Sequence, residues 1–237
     1  MIDAVLFDCW GTILQAPNLM RRGASTEIFY RSLTDSGCDV DFDSFRDAYV
    51  EEARRQRDEA KVDFRELDYV QRIDSTLHAV GFQHPQRRLL AQRVWADYLA
   101  EWPRQSTFFE DAMPLLSSLK RRYKLGLVTN FPDGPTAREV FNWFEFDEVF
   151  DCIVISGEVG YRKPNPIIFE RALSYLRGSP ESTVMVGDTL DADVLGPKKI
   201  GMKAILIDAN RIQEENHHLA DVVVRNLGEV REALKCI

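Results

Sequence analysis

Three aspartates, one lysine and a small set of hydroxyl and amide groups stand where they could do chemistry together. Asp8 closes the apolar run Ile2–Phe7 and opens the segment Asp8-Cys9-Trp10-Gly11-Thr12. Thr129-Asn130 closes the run Lys124–Val128, and Lys163 lies in Ser156-Gly157-Glu158-Val159-Gly160-Tyr161-Arg162-Lys163-Pro164. Asp188 and Asp193 follow a fourth apolar run in Gly187-Asp188-Thr189-Leu190-Asp191-Ala192-Asp193. Crowded into one crevice, three carboxylates repel and raise one another's pKa. A hard divalent cation relieves that, and Mg²⁺ characteristically takes one or two carboxylates, water and a substrate phosphate. Lys163 adds a fixed positive charge, while Thr129, Asn130 and the Gly11-Thr12 backbone offer hydrogen-bond donors. A nucleophilic carboxylate beside a metal, a lysine and such donors is what phosphoryl transfer through an aspartyl-phosphate requires.

Bringing these segments together needs strands that end side by side. Short β-branched runs occur at Ile2–Phe7, Lys124–Val128, Cys152–Ile155, Thr183–Val186, Lys203–Ile207 and Asp221–Val224. Beyond residue 105 they alternate with helical patterns at Met113–Arg122, Ala137–Phe144, Ile167–Leu176 and Gly228–Lys235. That alternation predicts an α/β fold with a Rossmann-like, doubly wound parallel sheet and a ligand crevice at the carboxyl ends of its strands. No strand pattern appears between Ile13 and Gln105. Leu67, Val70, Ile73, Leu77 and Val80 make one helical stripe, and Leu90, Val94 and Tyr98 make another. The expected organisation is therefore a core of residues 1–13 and 106–237, with an all-helical cap domain, 14–105, inserted after the first strand.

Taken together the four segments resemble the ordered motifs of the haloacid dehalogenase superfamily, in the helical-cap branch of phosphoglycolate-phosphatase-like and 2-haloacid-dehalogenase-like enzymes. The resemblance implies that Asp8 is the nucleophile, Thr129 the phosphate-binding hydroxyl, Lys163 the lysine of the third motif and Asp188 with Asp193 the acidic metal motif. It implies a metal site of Asp8, the Trp10 carbonyl, Asp188 and Asp193, with Asp193 either a direct ligand or an outer partner. Trp10 departs from the phosphatase pattern, which has a second Asp there as general acid and base. An indole shuttles no proton, a loss of about 10²–10⁴-fold. The 2-haloacid dehalogenases carry an aromatic at this place, and halide leaves without protonation. They need no metal, however, and resemble Ser-x-Asn-x-x-Asp in the fourth segment, where this chain is acidic. Trp10 thus reads either as packing or as a wall of the leaving-group pocket. Arg31, in Phe29-Tyr30-Arg31-Ser32-Leu33, faintly resembles the dehalogenase arginine that holds a substrate carboxylate; Arg21 and Arg22 are alternative anion contacts.

The leading expectation is a Mg²⁺-dependent phosphatase acting on a small phosphorylated metabolite. The alternatives are a carbon–halogen hydrolase on a halo acid, or a binding protein on the same scaffold with little turnover. Bulk properties agree. The 237 residues exceed one minimal domain, 45% are hydrophobic, and 30 basic against 38 acidic side chains give a net charge of −8. A chain without basic excess is a poor ligand for a phosphate backbone, so no nucleic-acid partner is expected. No run resembles a signal or membrane segment, and the four cysteines form no Cys-x-x-Cys pair. A cytoplasmic setting without a membrane partner is the expectation. Cys9 beside Asp8 reads as a structural thiol.

Overall fold

The computed structural model describes residues 1–212 and 214–237. The chain divides into two compact units: Met1–Gln15 with Ser106–Ile237, and Ala16–Gln105. The first holds a six-stranded parallel sheet. Its strands are β1 (Ala4–Phe7), β2 (Lys124–Thr129), β3 (Cys152–Ile155), β4 (Thr183–Gly187), β5 (Lys203–Ile207) and β6 (Val222–Val224). They run in the order β3-β2-β1-β4-β5-β6, every neighbouring pair parallel. The strand order reverses at β1, so the ends of β1, β2 and β4 meet there; in an open α/β sheet this is where ligands bind.

Unbroken apolar runs make these strands because both faces are covered. Helix Pro166–Leu176 lays Ile168, Phe169, Ala172, Leu173 and Leu176 against Leu6, Val128, Val154 and Met185, all buried. That helix begins cleanly: Asn165 caps it through Oδ1 to the Ile167 N–H at 2.9 Å, with Pro166 in the first turn. An aromatic cluster fills another part of the unit. Phe146 lies 5.2 Å from both Phe141 and Phe150, ring centre to ring centre, and Phe108 lies 4.7 Å from Phe144.

The second unit is helical: α1 (Ala24–Asp35), α2 (Phe42–Ala60), α3 (Tyr69–Ala79) and α4 (Arg87–Leu99), with short turns at either end. Asp41 and Asp68 cap α2 and α3 by accepting from the N–H groups of Ser44 and Gln71, at 2.9 and 2.8 Å. The apolar stripe read along α3 supplies buried Ile73 and Leu77. One detail differs from the sequence reading. Leu14–Gln15 forms a two-residue antiparallel ribbon with Thr107–Phe108, which keeps both ends of the excursion in the sheet unit. Two residues are too few for alternation to be seen in sequence. Among the described residues no helix is long and apolar enough to cross a membrane.

Candidate active site

Asp8 follows directly on β1, its N–H bonded to the Val186 carbonyl of β4 at 2.9 Å. Thr129 ends β2 and is 1% exposed. Asp188 follows β4, and Asp193 lies in the π-helical turn Leu190–Leu195 just beyond. Carboxylate oxygens of Asp8, Asp188 and Asp193 all lie within 4.8 Å of one another. Two glycines permit the crowding. A Cβ on Gly11 would stand 2.6 Å from Asp188 Oδ2, and one on Gly187 would stand 2.4 Å from the Asp193 Cγ.

Lys163 is the charge that holds the group together. Its Nζ donates to Asp8 Oδ1 at 2.6 Å and to Asp193 Oδ1 at 2.7 Å, and the residue is only 2% exposed. Burial works against the ammonium, but Asp193 and Asp8 outweigh it and hold the lysine above its ordinary pKa. One lysine does not balance three carboxylates. Burial, reinforced by the charges of Asp8 and Asp193, pushes Asp188 up to about 7. Burial likewise raises Asp193 to about 6, with Lys163 pulling the other way. The donor set is all-oxygen, anionic and short of positive charge, which suits a hard divalent cation. Asp193 has little left to offer one. Its Oδ1 takes Lys163 and its Oδ2 accepts the Thr189 N–H at 3.0 Å.

Several expected donors are committed elsewhere. The Gly11 N–H bonds to the Leu14 carbonyl at 2.8 Å, and the Thr12 N–H to the Cys9 carbonyl at 3.1 Å. The backbone of Gly11-Thr12 therefore closes a turn. Thr12 Oγ1, by contrast, is buried and makes no hydrogen bond. Asn130 spends both ends of its amide on the Lys163 main chain: Oδ1 accepts its N–H at 2.7 Å, and Nδ2 donates to its carbonyl at 3.1 Å. Asn130 thereby clamps the main chain of the lysine.

Trp10 is 9% exposed. Its ring stacks on Phe131 with centroids 4.5 Å apart, touches Phe141 at 5.5 Å, and its Nε1 donates to Ser106 Oγ at 3.1 Å. The ring is thus packed within the sheet unit. Ser106 and Phe131 escaped the sequence reading, because a partner 96 positions away leaves no local pattern. Cys9 is fully buried, and burial followed by the Asp8 charge raises its thiol well above the ordinary value, so it is no nucleophile. Arg31 is exposed on α1 of the helical unit, and Arg21 pairs with Glu27 within the same unit.

Residues 2–201 match the family of haloacid dehalogenase-like hydrolases. The chain is 29% identical over 250 residues to a glyceraldehyde 3-phosphate phosphatase of Methanopyrus kandleri, covering 100% of this chain and 97% of that one. It is 27% identical over 219 residues to an N-acylneuraminate-9-phosphatase of Homo sapiens, covering 89% and 84% respectively. Its fold matches that of a 2-haloacid dehalogenase from Pseudomonas syringae pv. Tomato DC3000, with a TM-score of 0.77, 21% identity and 99% of both chains covered.

Proposed function

Since the chain belongs to the haloacid dehalogenase-like hydrolases, we propose that it hydrolyses a small phosphate monoester by way of an aspartyl-phosphate at Asp8. The observation that carries this reading is the group of Asp8, Asp188 and Asp193 around one Lys163. Halide displacement needs no such excess of carboxylate, whereas a dianionic phosphoryl group is drawn only to a site whose own negative charge is neutralised. Phosphatase names among the relatives point the same way.

Asp8, Asp188 and the Trp10 carbonyl are the groups that would hold Mg²⁺. Bound there, the cation supplies charge neutralisation for the carboxylates and the transferring oxygens. The remaining work belongs to the chain. One Asp8 oxygen attacks phosphorus as the bond to the leaving oxygen breaks; water then attacks the same phosphorus, releasing phosphate and restoring Asp8. Lys163 holds one Asp8 oxygen by its hydrogen bond and, with the Thr129 hydroxyl, faces the oxygens of the group in transfer. Asn130 and Asp193 fix where the ammonium points.

Position 10 sets the limit on this chemistry. Its indole is packed on Phe131 and bonded to Ser106, so no side-chain acid stands there to protonate the leaving oxygen. Substrates whose leaving group departs as a stable anion, such as aryl or acyl phosphates, are therefore favoured.

The test is a paired assay of phosphate release from phosphomonoesters and halide release from 2-halo acids, each with Mg²⁺ and with EDTA. Phosphate release that EDTA abolishes is the expected result. Metal-independent halide release would instead establish carbon–halogen hydrolysis, the reading that the aromatic at position 10 favours.

A further inference from the structure

A cavity of about 570 Å³ lies beside Asp188 where β5 and β6 end, a volume that suits a small organic molecule. The described residues that line it all belong to the sheet unit. Ile207 closes β5 and Leu227 follows β6; with Ile212 they give the cavity an apolar part. Its polar part gathers around Thr12. The Phe109 N–H donates to the Ile13 carbonyl at 3.0 Å, which holds Glu110 and Asp111 beside the turn that carries Thr12.

Thr12 is 1% exposed, and its Oγ1 makes no hydrogen bond. A buried hydroxyl without a partner is destabilising, and a polar ligand atom in the cavity would satisfy it. Glu110 and Asp111 are exposed and form no ion pair among the described residues; Asp111 stands at the start of helix Ala112–Leu119 without capping it. Both oxygens of the fourth lining carboxylate, Asp208, are already spent, on the Ile212 N–H at 3.0 Å and on His217 Nε2 at 2.8 Å. Against these four acids the described lining has one basic side chain, Arg225. Such a lining repels an anion and draws in a cation, and its apolar part rewards a hydrocarbon body on that cation.

We propose that this cavity binds a small apolar amine. A primary ammonium has three N–H donors, and Thr12 Oγ1 with the carboxylates of Glu110 and Asp111 supplies three acceptors. The hydrocarbon body lies against Ile207, Ile212 and Leu227. The site does not depend on the reaction assigned to Asp8, but it borders that reaction's machinery. Asp188 lines the cavity and belongs to the carboxylate group around Lys163. An ammonium in the cavity and Mg²⁺ on Asp188 therefore repel each other, and each weakens the other's binding by the same factor. The amine is a regulator of the site, not its substrate.

Two calorimetric arms test it on the whole chain. In the first, metal-free protein is titrated with 2-phenylethylamine, 2-phenylethanol, 3-phenylpropanoate and methylamine, which separate charge from hydrocarbon. The aryl amine should bind at least about tenfold more tightly than the alcohol, and the carboxylate and methylamine should not bind. Glu110→Gln with Asp111→Asn, both at exposed positions, should erase the preference for amine over alcohol, and Thr12→Val should weaken the amine about three- to tenfold. In the second arm, saturating 2-phenylethylamine should raise the Kd for Mg²⁺ about fivefold or more in the wild-type protein and not in the double variant. No binding of the amine, binding of the carboxylate or methylamine as tight as that of the aryl amine, or a preference unchanged in the double variant overturns the proposal. So does binding of Mg²⁺ that ignores the amine. A protein that binds no Mg²⁺ contradicts the metal reading instead, and the first arm alone then decides for or against the amine site.

Discussion

Lys163 Nζ lies 2.6 Å from Asp8 Oδ1 although the two residues stand 155 positions apart, and both are shut away from water. The same ammonium reaches Asp193 at 2.7 Å. Removing one partner of a buried ion pair leaves the other uncompensated, at a cost of about 3–5 kcal/mol. Lys163→Met should therefore lower unfolding stability by about that amount in urea titrations. It should also cut phosphate-ester hydrolysis by at least about a hundredfold, since donors aimed at transition-state charge are each worth about 10²–10³.

Asn130→Ala tests whether the lysine must be held as well as present. The variant frees the Lys163 main chain from two hydrogen bonds. Stability should fall by about 1–3 kcal/mol. A positioning role also requires kcat to drop with little change in KM; a rise in KM alone would return Asn130 to direct substrate contact.

Asp188 and Asp193 give the metal-free protein a particular pH dependence. Their carboxyls, ordinarily near 3.8, are raised to about 7 and about 6 in the folded chain. The native state therefore binds more protons than the unfolded state between about pH 4 and pH 7, and stability falls as pH rises through that window. Divalent cation should reverse the trend. Calorimetric binding of Mg²⁺ should strengthen from pH 5 to pH 7.5 and release protons, and melting temperatures in EDTA should decline over the same range.

Trp10 carries a stability prediction separate from catalysis. Truncating a buried indole costs about 3–5 kcal/mol. Trp10→Ala should lose that much, whereas Ser106→Ala, which removes only the Nε1 acceptor, should lose about 1 kcal/mol. For the unaltered protein, hydrolysis should slow steeply as the leaving group becomes more basic. Aryl phosphates should exceed alkyl phosphates by about 10²–10⁴ in single-turnover rate; equal rates would show that another group supplies the proton.

Much of this arrangement is legible in the amino-acid sequence. Each apolar β-branched run from Ile2 to Val224 became a strand of one parallel sheet, because strands buried on both faces need little but continuous hydrophobicity. Asp8, Lys163, Asp188 and Asp193 announced themselves as charges at strand ends, and the sheet brings them together. The hydrogen-bond economy was not legible. Nothing in Thr129-Asn130 says that the amide turns to the lysine backbone, or that the Gly11 and Thr12 N–H groups close a local turn. The place of the Trp10 ring depended on Ser106 and Phe131, partners fixed only by tertiary packing.

The most direct measurement is acid-quench mass spectrometry of the protein caught turning over p-nitrophenyl phosphate with Mg²⁺. A phosphoryl adduct confined to Asp8, and absent from an inactive Asp8→Asn variant, is the expected result. Turnover with no adduct on Asp8, or sustained hydrolysis by Asp8→Asn, would contradict it.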